Sequence, residues 1–291
     1  MSTAFLGPRG TFSEDAALIH AGPDADLMAF GSIPALTAAV ETGLANQAVM
    51  PIENSIEGSV STTLDLLIHE TPLKISAEIV VPVRHFLVTT PGTALADIRI
   101  VTSHPQALGQ CRKFLERCLP NAEQVAALST AGAVEEVAFH QGADRAAIGT
   151  ARAAELYGGQ VLARDIQDVR TNVTRFVILS ESDAAPTGQD KTSIGFTIKA
   201  NVPGALFSIL EPFARESIQL TKIESRPTKA WLWEYVFLVD FEGHRIDAQK
   251  AAVLDEISQH CETLNVFGSY PRFRFESSTG FPDLPTRVES S

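Results

Sequence analysis

Between Ser180 and Asp190 the chain is rich in Ser, Asp, Ala, Pro and Gly, and the rhythm of apolar residues differs on its two sides. Upstream, short apolar runs alternate with helical segments, the pattern of an α/β domain with a largely parallel sheet. Thr3–Leu6, Ala48–Ile52, Ile98–Thr102, Ala146–Gly149 and Arg175–Leu179 read as strands. Phe12–His20, a segment near Val60–Ile68, one from Pro105 to about Arg117, and Ala133–His140 read as helices. The β-rich stretch Ile79–Thr89 is long enough to pass between two lobes. Downstream the order becomes β-α-β-β-α-β, with strands Ser193–Lys199, Ile218–Glu224, Trp233–Asp240 and Thr263–Tyr270 and helices Ala205–Arg215 and Ala248–Cys261. That order is ferredoxin-like. Two units are expected, residues 1–182 and 191–272, joined by a linker of turn-forming composition. The Ser/Pro-rich segment 276–291 is expected to be disordered, and no internal repeat is visible.

The charge balance narrows the partners. With 23 Lys+Arg against 35 Asp+Glu the formal net charge is −12. A nucleic acid or an anionic membrane needs a basic footprint, so neither is an expected partner. An anionic metabolite reads only the groups lining its pocket and is not excluded. No apolar run approaches the ~20 residues of a membrane span. Met1–Leu6 runs straight into a strand instead of a basic-then-apolar leader, so a cytoplasmic location is expected. The three cysteines lack metal-ligand spacing, and Cys111 and Cys118, seven apart on one helical face, read as core residues. Nor is there a G-x-G-x-x-G turn, so neither metal nor cofactor is expected.

Several strands end in a hydroxylic residue where a helix begins. Thr11 with Glu14, and Ser103 with Gln106, have capping-box spacing, and Thr150 opens a third helix. Each such start offers unpaired N–H groups and the positive end of a helix dipole. Any one of them is explained by an ordinary cap. Three at one sheet edge, beside the glycine-flanked Arg9, favour a carboxylate or phosphate site. Asn54 and Ser55 fall at the same edge, in a polar cluster that would otherwise read as a surface loop. Gln106 and Gln110 share a helical face opposite the apolar stripe Leu108, Cys111, Leu115 and Cys118. Thr174 and Phe176 share one face of a strand and Arg175 the other, but nothing in spacing singles out Thr174.

The motif order resembles the prephenate dehydratase family. The resemblance is carried by Gly7-Pro8-Arg9-Gly10-Thr11-Phe12-Ser13, Pro51-Ile52-Glu53-Asn54-Ser55 with Glu57-Gly58 and Thr63–Leu67, Ser103-His104-Pro105-Gln106-Ala107-Leu108, and Thr174-Arg175-Phe176. Further on, Gly204-Ala205-Leu206 and Glu224-Ser225-Arg226-Pro227 resemble the ACT regulatory domain. The motifs extend over nearly the whole chain to Pro271.

The resemblance implies two α/β lobes around a cleft, similar to type II periplasmic binding proteins, followed by a ferredoxin-like ACT domain. It implies a monofunctional, cofactor-free enzyme of phenylalanine biosynthesis that turns prephenate into phenylpyruvate. Thr174 would assist the departing hydroxyl, with Glu53 as an alternative acid. Thr11, Asn54, Ser55, Ser103, Gln106, Gln110, Asn172, Arg175 and Phe176 would bind substrate, with a structural ion pair as the other reading of Arg175. An aromatic amino acid, phenylalanine first, would bind at Asn201, Gly204, Ala205, Leu206 and Glu224, Ser225, Arg226, Pro227, between ACT domains of a homodimer or homotetramer. A chain cut near Pro186 would stay active and lose its response to amino acids. Arogenate as substrate, and a non-catalytic amino-acid sensor, are the alternatives.

Overall fold

The apolar runs of the first half form two mixed sheets. The structure, a computed structural model, describes residues 1–274 apart from 141, 201 and 230–232. The first lobe comprises β1 (Ser2–Leu6), α1 (Phe12–Ala21), β2 (Asp26–Phe30), α2 (Ile33–Glu41), β3 (Gln47–Asn54), β4 (Gly58–Ser59), α3 (Ser61–His69) and β5 (Lys74–Pro82). The second holds β6 (Phe86–Thr89), β7 (Ile100–Ser103), α4 (Pro105–Gln110), α5 (Arg112–Cys118), β8 (Glu123–Ala126), α6 (Thr130–Phe139), β9 (Arg145–Gly149), α7 (Ala151–Tyr157) and β10 (Gln160–Ala163). The chain then returns as β11 (Val173–Ser180) to the first sheet, between β3 and β5.

The two sheets have the same plan. The first runs β2-β1-β3-β11-β5 and the second, read from its far edge, β8-β7-β9-β6-β10. In each, the strand arriving from the other lobe is the antiparallel one, β11 against β3 and β6 against β9. This is the strand order of a type II binding-protein fold, a repeat of topology with no repeat of sequence behind it. The expected single helix from Pro105 is broken at Cys111. The Asp168 N–H takes the Gln110 carbonyl (2.7 Å), and the Asp168 carboxylate takes the Lys113 N–H (3.2 Å), removing two bonds that a continuous helix would use.

The C-terminal unit comprises β12 (Asp190–Ile198), α8 (Ala205–Arg215), β13 (Leu220–Pro227), β14 (Tyr235–Glu242), α9 (Ala248–Ser258) and β15 (Cys261–Pro271). Its antiparallel sheet, β13-β14-β12-β15, is ferredoxin-like and ACT-like. Alternation along β14 sends Val239 and Phe241 to the helices and Val236 and Leu238 to the first lobe. Those two, with Phe267 and Tyr270, share one core with Leu73, Ile75, Val177 and Leu179. The connecting segment is packed too: Asp183 pairs with Arg245 (2.8 Å), and Asp190 accepts the Thr187 N–H (2.8 Å). Composition suggests a tether between separable units, and the shared core makes cutting there costly. Asn201 and the segment 276–291 lie outside the described residues.

Gly268 marks the tightest point of this packing. Its φ is +153°, and a Cβ there would stand 2.2 Å from the Ile75 carbonyl oxygen. Gly268→Val should therefore lower the thermal unfolding midpoint, at a cost of at least roughly 1–3 kcal/mol. The same core predicts that a chain ending near Pro186 aggregates or melts below the full chain, which light scattering and circular dichroism would show.

Candidate active site

A cleft of ≈ 300 Å³ opens between the lobes, at the small end of the ~300–1,000 Å³ usual for small-molecule sites. The starts of α1, α4 and α6 converge on it, bringing Thr11, Phe12 and Ser13, then Gln106 and Ala107, then Ser129 and Thr130. Thr11 caps α1 and Ser129 caps α6 by accepting N–H bonds from Glu14 (3.4 Å) and Gly132 (2.9 Å). Among the described residues no lysine or arginine lines this cleft. An anion there is met by helix starts and by side-chain amides, hydroxyls and imidazoles.

A chain of side-chain amides runs along the floor. Asn54, at the end of β3, accepts the backbone N–H groups of Ile56 (3.0 Å) and Glu57 (3.1 Å) on Oδ1. Its Nδ2 donates to Thr174 Oγ1 (2.9 Å) and Asn172 Oδ1 (2.9 Å). Asn172 Nδ2 donates to Gln110 Oε1 (3.1 Å), which also meets His85 Nε2 (3.1 Å). The Thr174 hydroxyl thus receives a bond, while among the described residues no protein group accepts its own hydrogen. Burial pushes the His85 pKa down, with the Gln110 bond opposing in part.

The cleft mouth is bridged. Thr150 Oγ1 donates to the Gly10 carbonyl (2.6 Å), and the buried Glu14 pairs with Arg9 (3.1 Å) and Arg152 (3.1 Å). Burial would raise the Glu14 carboxyl, but the Gly10 N–H and the two arginines hold it below its ordinary value. Gly10, at φ +83°, allows the lobes to meet, since a Cβ would lie 3.0 Å from the Ala153 Cα.

Of the residues expected at the site, Thr11, Asn54, Gln106, Gln110 and Thr174 line the cleft. Asn172 and Ser55 stand one layer back: Asn172 joins Asn54 to Gln110, and Ser55 Oγ accepts the Val173 N–H (3.0 Å). Four expectations need correction, and of the two readings of Arg175 its contacts are those of the structural ion pair. Ser103 is buried in β7, its hydroxyl donating to the Ile148 carbonyl (2.6 Å), and His104 caps α4 in its place. Phe176 shares the Thr174 face but lies two residues further along, under α1 with Ala16 and Ala17. Glu53 points to the other face of β3, where it pairs with Lys222 (3.1 Å). Arg175 is turned away from the cleft by strand alternation into contacts with Glu78 (2.7 Å), Asp240 (2.8 Å) and Tyr270 (2.8 Å). Thr150 joins the two lobes and Arg9 pairs with Glu14 of its own lobe, and neither lines the site, where α6 takes the place foreseen for α7.

Val83, His85, His104, Leu128, Ser129 and Thr130 were not foreseen. Ser129 carried an ordinary N-cap signal one turn before the expected helix start. A lone His85 inside a strand-like run carried none.

In the C-terminal unit Gly204, at φ +88°, precedes Ala205 and Leu206 at the start of α8. Along β13 Glu224 accepts from Ser59 (2.6 Å) and Arg226 pairs with Asp65 (3.1 Å). These two side chains are engaged with the first lobe, while Ser225 and Pro227 face outward. Among the described residues no hydrogen bond joins them to the Gly204 turn within one chain.

Two α/β lobes around a cleft lined without lysine or arginine among the described residues, with an ACT-like unit packed against the first, define a two-lobed small-molecule enzyme with an appended regulatory-type domain. The chain belongs to the prephenate dehydratase family: a sequence model described as "Prephenate dehydratase" matches residues 3–184. It is 42% identical over 271 residues to the bifunctional chorismate mutase/prephenate dehydratase of Neisseria gonorrhoeae, covering 93% of this chain and 74% of that one. Arogenate dehydratase 1 of Petunia hybrida is 39% identical, covering 93% of this chain and 67% of its own. The crystal structure of a prephenate dehydratase from Arthrobacter aurescens in complex with L-Phe superposes with a TM-score of 0.86 at 36% identity, covering 94% of this chain and 90% of that one.

The buried ion cluster carries a pH signature. Burial would raise the carboxyls of Glu78 and Asp240, but Arg175 holds them below their ordinary 4.5 and 3.8. A carboxyl depressed in the folded state stabilises the fold above its unfolded value and loses that contribution as pH falls through the folded one. Wild type should therefore lose thermal stability as pH falls below about 4. Arg175→Met should cost roughly 3–5 kcal/mol at neutral pH, because it strands buried carboxylates. Lys191 still holds Glu78, but Asp240 loses its main partner and burial then raises its carboxyl, so this variant should regain part of its stability on mild acidification, the opposite slope in a melting series against pH.

Proposed function

We propose that the cleft binds prephenate and converts it to phenylpyruvate, with Thr174 as the donor to the departing ring hydroxyl. The observation that carries the reading is the Thr174 hydroxyl itself, which receives a bond from Asn54 and keeps its own hydrogen for a ligand. Loss of one carboxylate as CO2 supplies the electron pair that aromatises the ring, and the hydroxyl departs, taking one proton from solvent to leave as water. A threonine is too weak an acid to transfer that proton at neutral pH, so it stabilises the leaving oxygen by hydrogen bonding. The helix starts, with Gln106 and Gln110, hold the carboxylates. Residues 1–182 form the catalytic part and 191–272 the regulatory part of a cytoplasmic homo-oligomer.

Phenylalanine is the effector this reading assigns to the turn at Gly204. The outer side of α8 and β13 leaves Phe207 and Ile223 exposed (70% and 53%), an apolar surface suited to a second copy. There Ser225 and Pro227 of one chain would approach the Gly204 turn of the next.

Thr174→Ala should fold normally and lose ~10²–10³ in kcat with little change in KM, and Thr174→Ser should recover part of the rate. Formation of phenylpyruvate from prephenate, followed in the ultraviolet, tests this, and near-wild-type activity of the Ala variant would remove Thr174 from its role. Comparing kcat/KM for prephenate and arogenate decides between the two substrates. Calorimetric titration with phenylalanine should show binding to wild type and its loss in Gly204→Val, where a β-branched residue opposes the positive φ.

A further inference from the structure

We infer that His85 is a positioning residue of the cleft: its Nε2–H holds the Gln110 amide with the NH2 group turned towards the substrate. The inference deepens the dehydratase reading and rests on it for the identity of the ligand.

The direction of every bond in the amide chain follows from one end. The N–H groups of Ile56 and Glu57 can only donate, so the Asn54 atom they meet is its oxygen. Nδ2 of Asn54 then faces Asn172, which must present Oδ1, and the Asn172 Nδ2 faces Gln110, which must present Oε1. An oxygen that already receives one bond offers only lone pairs to His85 Nε2, so the imidazole proton sits on Nε2. The other nitrogen agrees: Nδ1 is sealed from solvent and has no partner among the described residues, and a proton there would be an orphan donor. Burial keeps the ring neutral.

The residue is itself held from several sides. Its backbone N–H donates to Gln167 Oε1 (2.9 Å), its carbonyl accepts the Ile166 N–H (3.0 Å), and Phe12 meets it edge-on at 5.8 Å. His85 lies in the crossing between β5 and β6, so these contacts fix it at the junction of the lobes. With Oε1 of Gln110 occupied by Asn172 and His85, its NH2 remains for a ligand. In a cleft without lysine or arginine, such a neutral donor matters for a dianion. Without the His85 N–H only the Asn172 bond holds the amide, so turning its oxygen towards the substrate carboxylates costs one hydrogen bond where it cost two.

Steady-state kinetics of His85→Leu, His85→Gln, Gln110→Ala and the double variant His85→Leu/Gln110→Ala test the inference. His85→Leu should raise KM for prephenate about tenfold with a smaller effect on kcat, the loss of roughly one hydrogen bond. His85→Gln, whose amide can still donate to Gln110, should return KM to near wild type, and His85→Leu should add nothing in the Gln110→Ala background. Equal effects of His85→Leu with and without Gln110, or no rescue by Gln in a folded variant, would overturn it. Nitrogen NMR of wild type carrying labelled histidine reads the tautomer directly, even if a variant fails to fold. A protonated Nδ1 sinks the inference, and a protonated Nε2 supports it. Wild type that does not turn over prephenate would instead remove the dehydratase reading and leave the tautomer measurement standing.

Discussion

Thr174 and Arg175 are consecutive residues of β11, and side chains alternate across a sheet, so the two must serve opposite faces. One face is the cleft floor. The other is a buried polar cluster in which Arg175 meets Glu78 of β5, Asp240 of β14 and Tyr270 of β15, while Lys191 of β12 also holds Glu78 (2.9 Å) and Tyr270 meets Ser193 (2.6 Å). Buried charges tolerate little displacement, because a broken pair leaves an uncompensated ion in a low dielectric. The C-terminal unit is therefore docked in one register against the strand that carries Thr174. An apolar interface alone would permit neighbouring registers at small cost.

That docking gives a physical route from the C-terminal unit to the cleft. Strands β12, β14 and β15 each place a group in the Arg175 cluster, and β13 reaches the first lobe through Lys222, Glu224 and Arg226. Ser59, which bonds Glu224, lies in β4, paired with Glu53 and Asn54 at the end of β3. Asn54 holds Thr174. A ligand that favours one arrangement of the C-terminal sheet acts on the cleft through these contacts, and by linkage substrate acts back on the ligand with equal coupling free energy.

Much of this was legible in the sequence where a single element carried the signal. The first strand and helix, the ferredoxin-like order and helix α8 stand where periodicity puts them. Strand β2 and helix α2 went unread, and so did β8, whose residues are all exposed and lack the alternation that marks a half-buried strand. Glu53, Arg175 and Phe176 show the limit of reading neighbours as partners. Glu53 and Arg175 are one residue from Asn54 and Thr174 and so face the other way. Phe176 faces the right way but lies one pleat deeper, under α1. His85 and Thr130 become site residues only when the lobes close on each other, a relation between distant segments that no local pattern encodes.

A cleft lined without lysine or arginine among the described residues suits the chemistry proposed for it. In the dehydration of prephenate, negative charge leaves a carboxylate and flows through the ring to the departing oxygen. A lysine or arginine paired with that carboxylate would stabilise the ground state more than the transition state and slow the step. Backbone N–H groups at helix starts and side-chain amides hold a dianion more loosely. A donor at the hydroxyl gains strength as charge arrives there. Thr174, its oxygen receiving the Asn54 N–H and its hydrogen unclaimed among the described residues, has the geometry that such a donor needs. The formal charges near it are kept behind the sheet, in the cluster around Arg175, where they fix the strand and do not touch the ligand.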